Sequence, residues 1–93
     1  MLIRADKGDS DGQNDLALLF LEHDRADIAL YWLELAAAQQ HADAMHHLSE
    51  LYRSGRGVAQ CESTALMWLA QAAAKGHSIA RKQLAAVTGA ITQ

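Results

Sequence analysis

Five histidines and one cysteine are the side chains of this 93-residue chain with the most evident capacity for chemistry. A neutral imidazole offers a ring nitrogen to zinc, so His41, His46, His47 and His77 raise the question of a metal site. The spacing answers against it. His46 and His47 are adjacent and on a helix would point about 100° apart. Zinc needs three or four convergent ligands, so no metal and no cofactor are expected. Cys61 stands where a helix is expected to begin. The helix dipole there favours thiolate, although a cysteine in a capping position needs no chemistry to explain it. Asp9, Asp11 and Asp15 belong to another expected helix start, where acidic residues are favoured by the dipole alone. No G-x-S-x-G, phosphate loop or Cys–His pairing is present. No catalytic residue is expected, and the chain is not read as an enzyme.

The elements that would position these residues follow from an internal echo. WLELAAAQQHADAMHHL returns 36 residues later as WLAQAAAKGHSIARKQL. Trp32 aligns with Trp68, Leu33 with Leu69, His41 with His77, Ala44 with Ala80 and Leu48 with Leu84. A period of this length signals stacked repeats. Ala29, Trp32, Leu33, Ala36 and Ala37 fall on one helical stripe, which Ala65, Trp68, Leu69, Ala72 and Ala73 repeat. A second helix type carries Ala44, Leu48, Leu51 and Tyr52, then Ala80, Leu84, Val87 and Thr88. An earlier copy reads Gly12, Leu16, Leu19 and Phe20, displaced by 32 residues because its connection to the next helix is shorter. In that short connection Asp24 is expected to act as an N-cap, with Asp27 in the first turn. The longer connection holds Gly55 and Gly57, suited to left-handed backbone.

Composition agrees with helices. Alanine and leucine supply 32 residues (19 and 13) and there is no proline. The reading is an all-α superhelix, or solenoid, of about five antiparallel helices at roughly 9–22, 25–39, 42–53, 62–75 and 78–91. It forms one domain of roughly two and a half repeats. Residues 1–8 are a remnant of an earlier repeat, since Leu2 aligns with Leu69 and Lys7-Gly8 with Lys75-Gly76. Residues 9–40 form a short repeat, 41–76 a full one and 77–93 a terminal helix. Alanines let helices approach closely, and Trp32 and Trp68 are expected to anchor the stack, at about 3–5 kcal/mol for loss of either ring.

The string AMHHLSELYRSGRGVAQCESTALMWLAQAAAKGH resembles the Sel1-like repeat (SLR) family, a relative of the tetratricopeptide repeats. Ala44, Leu48, Tyr52, Gly55, Gly57 and Val58 match the first half of its pattern. Ala65, Trp68, Ala72, Ala73 and Gly76 match the second. Ser49 stands where the family has glycine, Cys61 at an acidic position and Gln40 where Gly76 has its counterpart; the first connection lacks the G-x-G-V loop. The resemblance implies a protein-binding scaffold without catalysis, of a kind common in bacterial signalling, envelope and host-interaction proteins.

Such scaffolds use the inner face of the stack, lined by the leucine-tyrosine helices. Their non-core positions give the candidate partner-binding residues: Asp15 and Leu18 on the first, Met45, His46, His47, Glu50 and Arg53 on the second, Arg81 and Lys82 on the third. Met45 and the histidines are read as exposed. Charge is uneven along the chain. Residues 1–50 carry 3 basic and 10 acidic groups, net −7, and residues 51–93 carry 5 and 1, net +4. The expected partner is a protein or peptide. The alternative is a structural role, capping a longer solenoid or self-associating end to end. The net charge of −3 and the absence of expected surface aromatics speak against nucleic acid. No run is long enough to span a bilayer, and MLIRADKGDSDG has no apolar signal core, which suggests a cytoplasmic protein.

Overall fold

A computed structural model describes residues 9–91, with side chains as far as residue 87. The expected repeat remnant at 1–8 and the Thr88 side chain lie outside the described residues. Among the described residues five helices follow one another: α1 Ser10–Glu22, α2 Ala26–Ala38, α3 Ala42–Ser54, α4 Glu62–Ala74 and α5 Ser78–Ile91. Helix α1 packs chiefly on α2 and α3 on α4, while α2–α3 and α4–α5 contacts join the pairs into an elongated body of 48 × 26 × 19 Å. This is the expected all-α stack.

Four helix ends are closed the same way. Asp24, Gln40, Gly55 and Gly76 each adopt positive φ just beyond a helix. The following residue then donates its N–H to a carbonyl five residues back: Arg25 to Phe20, His41 to Ala36, Arg56 to Leu51 and His77 to Ala72. Each turn thereby satisfies carbonyls that the helix leaves open. This corrects the expectation for Asp24. It is the left-handed residue ending α1, at φ 60°, and not the N-cap of α2. Arg25 holds the cap position without a side-chain cap bond. The Asp24 carboxylate instead meets Arg56, whose guanidinium also donates to the Leu21 carbonyl at 2.9 Å. That clasp lays the long α3–α4 loop on the α1–α2 turn. Gly57 is required there, because a Cβ would lie 2.9 Å from the Ala26 backbone.

The core runs through the interior of the stack. Ala17, Ala29, Leu33, Ala36, Ala44, Leu48, Ala72 and Ala80 have no exposure. Trp32, Trp68, Tyr52 and Phe20 are partly buried against this cluster. The tryptophans are thus half-buried flanks of the core, and ring loss should cost less than full burial would imply. Leu19 departs from its expected core stripe and is 40% exposed, while Ala17 fills the interior position. Gln13 and Asn14 are buried on α1 as well. Gln39 donates to the Gln13 side-chain oxygen at 2.8 Å, whereas Asn14 Oδ1 is buried with no hydrogen-bond partner among the described residues.

Candidate functional site

The alternate helices α1, α3 and α5 carry the candidate residues, and their first turns are tied together by a repeating bridge. His41 is the N-cap of α3, where its Nδ1 accepts from the Ala44 N–H at 3.1 Å. Its Nε2 lies 2.7 Å from Asp11 of α1. Thirty-six residues later His77 repeats the arrangement at the start of α5. Its Nδ1 accepts from Ala80 N–H at 3.1 Å, and its Nε2 faces Asp43 of α3 at 2.8 Å. A ring nitrogen that accepts a backbone N–H must keep its lone pair, so the proton sits on Nε2 and points at the carboxylate. Each histidine therefore caps its own helix and binds the previous helix of the same type. Sequence reasoning places these histidines at helix starts but misses their partners. The signal is present: Asp11 and Asp43 are 32 residues apart, the spacing that relates α1 to α3.

Around His77 the side chains of α3 and α5 form a compact polar cluster. His46 stacks on His77 with ring centroids 4.6 Å apart. Its Nε2 is 3.0 Å from the Gln83 side-chain oxygen and 3.7 Å from Glu50. Glu50 also accepts from Arg53 at 2.9 Å. His47 donates through Nδ1 to the Asp43 carbonyl at 2.8 Å. Burial, with the neighbouring His46 adding to it, pushes the His47 pKa below its ordinary value. Among the described residues no group of three or more histidine, cysteine or carboxylate side chains is arranged to hold a metal ion.

Beside this cluster lies a cleft of about 320 Å³ between α3, α4 and α5. Its polar rim is Glu50, Arg53, Gln83 and Glu62, and its apolar lining includes Leu66, Leu69 and Val87. Ala86 and Val87 of α5, which line it, stand where α3 has Glu50 and Leu51. A second groove of about 370 Å³ runs between α4 and α5, lined by Ala70, Ala73, Ala74, Arg81, Leu84 and Ala85.

The nine candidate residues are therefore distributed unevenly. His46, Glu50 and Arg53 come together, joined by Gln83. Met45 does not belong with them: it is 1% exposed and fills the core, contrary to its expected exposure. It occupies a stripe position one turn before Leu48 and Ser49, which are also buried. The His46 side chain is only 14% exposed, so it supports the face from beneath. Arg81 lines the separate α4–α5 groove, and Lys82 is exposed beside it. Asp15 is exposed and Leu18 half-buried on α1. Tyr31, at 58% exposure, corrects the expectation that the surface lacks aromatics.

Cys61 is at the start of α4, as expected, and its thiol pKa is lowered to about 7. The principal cause is the Thr64 hydroxyl 3.1 Å from its sulfur, joined by Ser63 at 3.6 Å. No described helix is long and apolar enough to cross a membrane.

No family model and no curated protein matches the sequence. Solved structures do. A Sel1 repeat protein from Oxalobacter formigenes superposes with a TM-score of 0.82 at 27% identity, over 86% of this chain and 35% of that one. A protective antigen of SLR fold present in uropathogenic Escherichia coli strains superposes with a TM-score of 0.77 at 30% identity, over 89% of this chain and 18% of that one. The chain spans about a third of the first and less than a fifth of the second.

Proposed function

Because the chain belongs to the Sel1-like repeat family and is a helical-repeat scaffold, we propose that it acts as a non-enzymatic protein-interaction module, docking a partner on the face formed by α1, α3 and α5. The cleft between α3, α4 and α5 carries this reading. Its volume falls within the range of sites that take side chains or small ligands, and its apolar lining lies below charged groups already fixed in place. Arg53, Glu50, Gln83 and His46 hold one another, so the rim meets a partner with little ordering left to do. Preorganisation of that kind favours affinity. Leu66 and Val87, at 40% and 39% exposure, offer apolar area that a partner side chain would cover. The partner is a protein or peptide segment with at least one apolar anchor.

The reading is tested by comparing wild type with Arg53→Glu and with Val87→Glu in affinity capture followed by quantitative mass spectrometry. Proteins retained by wild type are expected to be lost by both variants while their circular-dichroism melting curves stay at the wild-type position. Unchanged retention by both variants, with folding intact, would remove the cleft from the binding surface.

A further inference from the structure

The groove between α4 and α5 has a counterpart inside the molecule. Arg81, Leu84 and Ala85 stand 36 residues after Met45, Leu48 and Ser49. Those three residues of α3 are 1%, 0% and 3% exposed, in a helix packed tightly on α4. Positions that are sealed on α3 thus line an open groove on α5. The repeat itself indicates that this groove has the shape of a helix-stacking surface. One substitution in it restricts what can cover it. Arg81 stands where the inner repeat has methionine, and a guanidinium cannot be covered without a counter-charge. The occupant must bring a carboxylate next to apolar area.

The other end of the molecule presents that combination. Asp15 and Leu19 are one turn apart on α1, on one face; both are exposed, Leu19 by 40%. Charge follows the same division. Residues 9–38 hold seven carboxylates (Asp9, Asp11, Asp15, Glu22, Asp24, Asp27 and Glu34) against one basic group, Arg25. Residues 62–87 hold Lys75, Arg81 and Lys82 against Glu62 alone. Opposite ends of opposite charge steer two copies into one relative orientation.

We propose that the α4–α5 groove is a docking surface for a second copy of this chain, joined head to tail, with Asp15 and Leu19 of the second copy set against Arg81 and Leu84 of the first. Such a contact uses two different patches, so each added copy leaves one of each exposed, and association continues unless the rotation closes a ring. Salt screens the charge component, so assembly weakens as ionic strength rises.

Sedimentation velocity of the full chain from micromolar to millimolar concentration, at low and at high salt, tests this. Wild type is expected to grow in mass with concentration at low salt and to shift toward monomer at high salt. Asp15→Arg and Arg81→Asp should each be monomeric alone, with wild-type circular dichroism. Mixed together, the two variants should associate again, at least as a 1:1 pair, because the unaltered groove of one meets the unaltered α1 face of the other. Arg53→Glu, in the separate cleft, should associate as wild type does, which keeps this surface distinct from the partner cleft. A wild type that stays monomeric throughout, an Arg81→Asp variant that associates normally, or a mixture that stays monomeric would each overturn the proposal.

Discussion

Leu48 and Leu84 come from the same place in two copies of one repeat, yet their surroundings differ. Leu48 on α3 has no exposure, whereas Leu84 on α5 is only partly buried and lines a groove. The same contrast holds for Leu51, 4% exposed, and Val87, 39% exposed. It holds again for Leu30, packed against the core, and Leu66, 40% exposed. Identical or similar residues therefore do two jobs. Between α1 and α4 they close the stack. On the outer side of α4 and α5 they form surface on which something else can pack. In a quasi-one-dimensional fold each repeat is stabilised by its neighbours, so position in the array, as much as residue type, sets what a residue contributes.

The largest expected difference is in the leucines themselves. Leu48→Ala should cost about 2–5 kcal/mol by leaving a cavity in a closed core. Leu84→Ala should cost clearly less in urea melts at low protein concentration. Equal losses would mean that α5 is as enclosed as α3. A pair of glycines gives the next contrast. Gly57→Ala meets the Ala26 backbone at 2.9 Å and keeps a φ of 80°, so about 2 kcal/mol or more is expected from clash and strain together. Gly76→Ala meets nothing within 4 Å among the described residues and should show only the left-handed penalty, about 1 kcal/mol. Thermal melts of both variants check the order.

Protonation separates the two regions further. His47 on α3 has its pKa lowered in the folded chain by burial, and its counterpart on α5 is Gln83, which does not titrate. Above the ordinary histidine value of 6.5 both states are neutral at this site and it contributes nothing. As pH falls through 6.5 the unfolded chain binds the proton first, so stability drops until the lower folded pKa is passed. Wild type should lose stability over that window in urea melts, and His47→Gln should lose less. A variant that tracks wild type would assign the acid sensitivity elsewhere. The smallest effect concerns matching turns. Gln40 and Gly76 both have positive φ, at 69° and 91°. Gln40→Gly should stabilise by about 0.5–1 kcal/mol, with the loss of unfolded-chain restriction taking back part of the gain. A destabilised variant would show that the Gln40 side chain has a role the turn geometry does not reveal.

The helices, their boundaries to within a residue or so, and the pairing of equivalent positions are legible in the sequence because the 36- and 32-residue registers and the apolar stripes reinforce each other. The exposure of particular side chains is less legible. Alignment with Arg81 points Met45 toward the surface, and an alignment does not show that one copy is sealed and the other open. Spacing points Leu19 toward the core, but the small Ala17 takes the interior position on α1 and turns Leu19 outward. Asp24 looks like an N-cap by residue type, since the same short polar side chain also tolerates left-handed backbone. The histidine–aspartate bridges need two registers read at once, 36 for the histidines and 32 for the aspartates.

Hydrogen exchange resolved along the chain measures the central contrast directly, because each helix reports its own opening free energy. At micromolar concentration the α3 amides between Leu48 and Leu51 are expected to exchange at the slow rate of global unfolding, and the α5 amides between Leu84 and Val87 markedly faster. Uniform protection of α3 and α5 at that concentration would contradict the account, since equivalent residues would then be equally closed at both places in the stack.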